Sequence, residues 1–547
     1  MKKNYNCNIA VIVDSLFVLW TIITIISWLS NKSLTADSVF FDRLIVTAVY
    51  FLARTIIPVL GRYSDNVFGV LLFSFYMYEL VLGYLQLFGL IVTNDQYNII
   101  VGSFDNSGPY GGFLAIISVL LLIFFLKYKE KYKIVSYLCF VAYILGIILL
   151  PSVRSRAAML AALVGLSLFF YTSYREKLKK YMVYIFAVII IFCTAAYFYK
   201  KPSANGRAFM SKISAETLYF TRFFGNGLGS FSGVYGHQQY LYFSKKIENI
   251  LDFSKVNESE RMAADCPAES FNDYLGIGME SGLFSMILYV AIIGIVLYSA
   301  KKRNVIWTFG LIAYSVFALF SYPSKLLVFQ ILFPLLLSLC ITEREVIGMS
   351  FSKYKLVNLL SFFLPLLGLT CLYPTIRDYR ENVDIWKTKT RKLYLQNKYD
   401  KFIEVGNQLY ESLNSYYPFI FAYGRSLHYQ GNYEKSDSIL KLGTEISSDP
   451  MFWNVMGNNS LAQGRYREAE ERYKHAFYML PNRLYPLTLL AKLYHTEGDT
   501  VRFLDMAEKV ETFVPKIENA NTERLRAEIR EIREGYNIEA IKKDEEQ

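Results

Sequence analysis

Four arginines, two carboxylates and one histidine stand in polar chain beside long apolar runs: Arg154, Arg156, Arg207, Arg222, Glu269, Asp273 and His237. A guanidinium is always charged and offers a planar fork that matches phosphate oxygens. Arg154 and Arg156, at the start of an apolar run, either snorkel to a water–lipid boundary or bind such an anion. Arg207 follows Gly206, and Arg222 precedes a glycine cluster, Gly225-Asn226-Gly227-Leu228-Gly229. No strand precedes those glycines, so a dinucleotide loop is excluded on context. Tight turning or a close backbone approach to a substrate remains. A carboxylate acts as a general base when burial lifts its pKa toward working pH, which makes Glu269 and Asp273 candidates. His237 is the single histidine outside the C-terminal third, and it is either a base or a surface residue. Asn272 is placed to orient a hydroxyl or to bond its own loop.

The surrounding elements follow from hydropathy. The chain has 547 residues, 53% hydrophobic, and a net charge of +11. Residues 1–376 hold the apolar runs, whereas 378–547 are polar and rich in Tyr, Glu and Lys, which predicts one domain in lipid and one in water. Eleven spans are expected, at 9–29, 40–60, 67–90, 112–126, 134–150, 157–173, 181–198, 274–299, 305–321, 326–341 and 356–376. Asp42, Arg43 and Arg54 make the second the weakest. Lysine and arginine crowd alternate loops: Lys127 to Lys133, Arg175 to Lys180, Lys301 to Arg303. The intervening short loops carry only Lys32, Arg154, Arg156 and Lys325. This asymmetry puts the N-terminus in the cytoplasm, and the loop 199–273 and the C-terminal domain on the opposite side. The first span lacks a small-residue cleavage site and reads as an uncleaved signal anchor. The positive charge is the bookkeeping of orientation, not of nucleic-acid binding. The six cysteines form neither a disulfide framework nor a metal-ligand spacing.

In the polar domain Gly431, Gly464 and Gly498 recur, as do Tyr399, Tyr433 and Tyr466. The unit Trp453, Gly457, Gly464, Tyr466, Ala469, Tyr473, Ala476, Pro481 resembles the tetratricopeptide consensus, a pair of helices packed small against large. Units are expected at 417–449, 450–483 and 484–517, with a degenerate one at 383–416 and a charged capping helix at 519–547. Such an array either binds a protein or peptide or steadies the membrane domain.

Pro267-Ala268-Glu269-Ser270-Phe271-Asn272-Asp273-Tyr274-Leu275 with Gly282, Phe224 to Phe231, and Ser155-Arg156-Ala157-Ala158 together resemble the O-antigen ligase and polymerase superfamily. The pattern usually has His-Asn where this chain has Phe271-Asn272. The resemblance implies an all-α, polytopic transmembrane helical bundle of GT-C-like type over 1–377, followed by a periplasmic tetratricopeptide solenoid over 378–518 and a tail at 519–547. It implies an inner-membrane glycosyltransferase that moves a glycan from a polyprenyl-diphosphate carrier to an acceptor hydroxyl. Arg156 and Arg207 would grip the diphosphate, with Arg154, Arg222 and Asn272 as further substrate contacts. Phenylalanine cannot move a proton, so Glu269, Asp273 or His237 would take the base's place. Glu280, in a Glu-x-Gly pair common at this place in the family, is expected to be structural. Diphosphate is already a good leaving group, so neither metal nor cofactor is called for.

The acceptor stays open among lipid A core, another lipid-linked glycan and a protein Ser/Thr. A non-catalytic scaffold that recruits assembly partners through its repeats is the rival reading. A transporter ranks below both, because few charges lie mid-span.

Overall fold

A computed structural model describes residues 2–545 other than Lys32, 94–98, 176–180, 182–183, 185–186, 188–189, 192–193, 196–197, 199–200, 221–222, 301–304 and 342–350. The described elements are all helical. The first six are α1 (Lys2–Leu29), α2 (Leu34–Leu60), α3 (Ser64–Leu87), α4 (Ser107–Tyr128), α5 (Lys133–Val153) and α6 (Arg156–Ser173). The polar loop then forms α7 (Lys201–Phe220), α8 (Phe231–Ser244) and α9 (Glu258–Ala263). Apolar chain resumes with α10 (Asp273–Ala300), α11 (Val305–Ala318), a 3-10 turn at Pro323–Lys325, α12 (Leu327–Ile341) and α13 (Phe351–Ile385).

Among the described residues, seven helices are long and apolar enough to cross a bilayer: residues 9–29 of α1, then α2 to α6, and residues 273–299 of α10. The helices expected at 305–321 and 326–341 are shorter, 14 and 15 residues. The span expected at 181–198 falls largely outside the described residues. α4 is hydrophobic all round, and it is buried without interruption from Pro109 to Ile123. Within lipid that burial gains close packing rather than escape from water. Asn106 caps α4 by accepting from the Gly108 N–H, and Ser33 caps α2 by accepting from Ala36. Of the charges that weakened the second span, Arg54 is paired inside the bundle. Arg54 donates to Asp14 on α1 at 3.0 Å, and Tyr50 donates to the same carboxylate at 2.7 Å.

The expected boundary at 377 lies inside a helix. α13 runs on to Ile385 and continues through a π turn at Trp386–Thr390 into α14 (Arg391–Leu395). Beyond it come α15 (Tyr399–Leu413) and three helix pairs: α16 (Tyr417–Tyr429) with α17 (Tyr433–Ile446), α18 (Met451–Ala462) with α19 (Tyr466–Met479), and α20 (Tyr485–Glu497) with α21 (Thr500–Thr512). The recurring Gly431, Gly464 and Gly498 follow the first helix of each pair, each with φ between 70° and 81°, where a side chain would be strained. α22 (Ala520–Glu545) closes the row by burying Leu525 and Ile529 against the last pair.

Candidate functional site

The site is built around a broken helix. α10 is interrupted at Gly282, whose φ of 89° and ψ of 160° lie outside any helix. The break frees two carbonyls, and neighbouring chain satisfies them. Met279 accepts from the Asn226 N–H at 3.0 Å; Glu280 accepts from the Gly227 N–H at 3.0 Å and the Ser27 hydroxyl at 2.7 Å. Irregular backbone is tolerated at membrane depth only where protein re-satisfies it in this way. The fit needs glycine on both sides. A Cβ on Gly225 would stand 2.2 Å from the Glu280 carbonyl oxygen, and one on Gly282 2.0 Å from that of Phe223. The close approach expected of the glycine cluster is thus made to the chain's own helix break.

The first half of α10 carries Asp273 and Glu280, two turns apart and so on one face. Both are almost fully buried, at 3% and 1% exposure. Each meets the turn at Pro323–Lys325. Asp273 accepts from the Ser324 N–H at 3.1 Å and the Ser324 hydroxyl at 2.5 Å. The Lys325 ammonium donates to both Glu280 oxygens, at 2.7 and 3.0 Å, and stands 3.8 Å from Glu269. Arg43, buried in α2, lines the same narrow cavity as these three carboxylates and Lys325, a space with room for about one water molecule. Three acids therefore face two bases. Glu269 is the least committed acid, with 40% of its side chain exposed. Desolvation of the part turned into the protein raises its pKa above the ordinary value; Lys325 opposes this, and Glu280 and Asp273 add to it. Lys325 is held charged, because the pull of Glu280 and Glu269 outweighs the penalty of its burial.

The cluster continues into an arginine pair. Tyr322, one residue before that turn, accepts from the Asn106 amide at 3.2 Å and meets the edge of Phe271 at 5.4 Å between ring centres. The Arg207 guanidinium covers the Phe271 ring at 4.8 Å and donates to the Phe320 carbonyl at 3.1 Å. No carboxylate among the described residues pairs with it. Its pKa is lowered by burial and then by the positive charge of Arg156. Arg156 begins α6 and donates to Ser203, one turn before Arg207 on α7, at 3.2 Å. Two guanidiniums that repel each other, one of them half-buried, form a place where an anion would be stabilised.

The other expected residues lie elsewhere or have a different part. His237 is exposed on α8 and faces the helix pairs, where Tyr240 stacks on His475 at 3.8 Å and His475 on Trp453 at 3.7 Å. It does not line the cavity with Glu269 and Asp273. The Asn272 side chain caps α10 by accepting from the Leu275 N–H at 3.1 Å. Arg154 is exposed in the turn between α5 and α6, with φ of 58°. Arg222 lies outside the described residues. Sequence reasoning passed over Lys325, Tyr322 and Arg43. The charge of Arg43 within a span was the available signal for it, since such charges turn inward toward a partner or a cavity. Nothing in the residues around Lys325 marked it.

Residues 141–290 match the model of the O-antigen ligase family. The matched stretch includes Arg156, Arg207, Glu269, Asp273, the helix break and the glycine segment that fills it. Lys325, Arg43 and the helix pairs lie outside it. No curated protein matches the chain. The match supports a likeness to the O-antigen ligase superfamily over that stretch, and the apolar helices suit a multi-pass membrane protein.

Proposed function

We propose that this protein is an inner-membrane glycosyltransferase that moves a glycan from a polyprenyl-diphosphate carrier to an acceptor hydroxyl on the periplasmic side. One observation carries the reading: Arg207, half-buried beside Arg156 and bonded to a carbonyl and an aromatic face instead of a carboxylate. A diphosphate supplies the missing negative charge. The acceptor oxygen attacks the anomeric carbon from the face opposite the leaving group. The bond from that carbon to the diphosphate oxygen breaks, and the released electron pair ends on a phosphate held by the two arginines. Fixed charge aimed at a developing anion is commonly a large catalytic contribution. The hydroxyl proton passes to Glu269, whose pKa is raised above its ordinary value, the direction that favours a general base. Asp273, bonded twice to Ser324, and Glu280, paired with Lys325, hold the frame around it. Phe271 gives Arg207 a flat face in place of the family's histidine.

The topology that fits this chemistry has eleven spans, a cytoplasmic N-terminus, and the tetratricopeptide-like helix pairs beside the loop 199–273 in the periplasm. Deleting the gene and comparing surface polysaccharide with protein-linked glycan on gels tests the activity and identifies the acceptor. Loss or collapse of lipopolysaccharide to single units indicates a ligase or a polymerase, and the shape of the ladder separates them. Loss of sugar from periplasmic glycoproteins alone indicates a protein acceptor. Unchanged glycans of every kind would contradict the proposal.

A further inference from the structure

The helix pairs grip the segment that delivers Glu269. Their contacts come from the linkers that follow each pair, at Ser448, Asn482 and Lys516, which succeed one another at intervals of 34 residues (448, 482, 516). Asn482, fully buried, donates its amide to the carbonyls of Arg261 and Ala264, both at 2.9 Å. Lys516 donates to the Ala264 carbonyl at 3.1 Å and to the Asp265 carboxylate at 2.8 Å. The Ser448 hydroxyl donates to the Pro267 carbonyl at 3.3 Å; Ser232 on α8 donates to the same carbonyl at 2.9 Å and accepts from the Ser448 N–H at 3.2 Å. The loop answers in kind, with Arg261 donating to the carbonyls of Pro481 and Val514. The backbones touch as well. A Cβ on Gly233 would stand 1.9 Å from the Glu445 carbonyl oxygen, and one on Gly236 2.6 Å from the Ser448 Cα. The last of the gripped carbonyls, Pro267, is two residues from Glu269.

We infer that the linker ridge of the helix pairs is a docking surface for this chain's own loop, and that Ser448 and Asn482 are positioning residues for Glu269. The inference rests on the proposed role of Glu269. It assigns the repeat period a mechanical purpose: one bond-forming linker per pair, three in succession, holding 261–267 as a rail. A buried carbonyl that loses its donor is costly to leave unmade. Freeing the rail therefore loosens the approach to Glu269, and a carboxyl that regains water titrates nearer the ordinary range.

Cys266 reports on the rail independently of turnover. It lies between the gripped carbonyls of Ala264 and Pro267 and reaches solvent. The packed surroundings, with Asp449 and Asp265, push its thiol up to about 12, which keeps it in the unreactive form. In membranes holding the full chain, alkylation at Cys266 by a small maleimide, read by peptide mass spectrometry, is compared for wild type, Asn482→Asp and Ser448→Ala. Asn482→Asp keeps the shape and removes both donors; Ser448→Ala is milder should the first disturb folding. Lys492→Ala, which breaks a surface pair with Glu528, is the control. The expected result is labelling faster by about tenfold in the two linker variants and unchanged in the control. In the same variants glycan transfer falls, and the acid limb of its pH profile moves to lower pH. Labelling at the wild-type rate in both linker variants overturns the inference. So does faster labelling with transfer and its pH profile unchanged. Should Glu269→Gln transfer glycan normally, the proposed base fails, while the labelling still decides whether the ridge holds the loop.

Discussion

The two ends of the polar seam are built on opposite plans. At the carboxylate end, the charges find partners within the chain. Lys325 lies on Glu280, Asp273 takes two bonds from Ser324, and Arg43 lines the same cavity. At the arginine end, Arg207 rests on a carbonyl and a ring while Arg156 repels it. The first end is complete as it stands, and Glu269, its most loosely held member, is the one to which the proposal gives the proton. The second, in the proposed function, receives the diphosphate. Affinity and turnover should therefore separate along the seam, with substrate binding at one end and proton transfer at the other.

Breaking the self-sufficient end has the largest expected consequence. Lys325→Met leaves Glu280 buried without its cation, and removing one partner of a buried pair costs about 3–5 kcal/mol. The amount of folded protein recovered from membranes should fall sharply, and Glu280→Gln in the same chain should restore part of it. Arg207→Ala leaves the frame intact and removes fixed positive charge, so transfer should drop by about 10²–10³ with normal protein level, measured with a lipid-linked donor. Arg207→Lys should recover only part, because a point charge does not reproduce the fork. Glu269→Gln should lower transfer by about 10² while leaving donor binding unchanged.

The pH dependence sharpens the same contrast. The raised pKa of Glu269 means that the base form is lost as pH falls through that value, so the rate declines there on the acid side. Its effect on stability runs the other way. The folded chain holds this proton more tightly than the unfolded one, so the contribution is greatest at low pH and is lost as pH rises from the ordinary carboxylate value through the raised one. Arg207 keeps its charge across this range, and donor affinity should follow neither curve. The smallest effect is expected for Phe271→His, the residue usual in the family. An imidazole keeps a flat face under Arg207, and transfer should change by no more than about threefold.

How much of this was legible depended on whether a residue's neighbour was near in sequence. Arg156, Arg207 and Glu269 stood out from their types and motif context, and Gly282 from its place after the motif. The repeat period also showed, because Gly431, Gly464 and Gly498 each stop a helix locally. Lys325 did not, since its partner Glu280 is 45 residues away and nothing around a lone loop lysine announces a buried pair. The glycine cluster was read as turning tightly or approaching a substrate, whereas it packs on this chain's own helix: the break at Gly282 becomes a receptor only after α10 folds against 223–230. His237 attracted notice for rarity, and rarity does not place a side chain; α8 turns it toward the helix pairs.

The most direct test of the division is the affinity of purified wild type, Arg207→Ala and Glu269→Gln for a polyprenyl diphosphate, measured beside their transfer rates. The predicted result is weakened binding in Arg207→Ala, wild-type binding in Glu269→Gln, and impaired transfer in both. Equal affinity in all three proteins would contradict the account, because the arginine end would then hold no diphosphate.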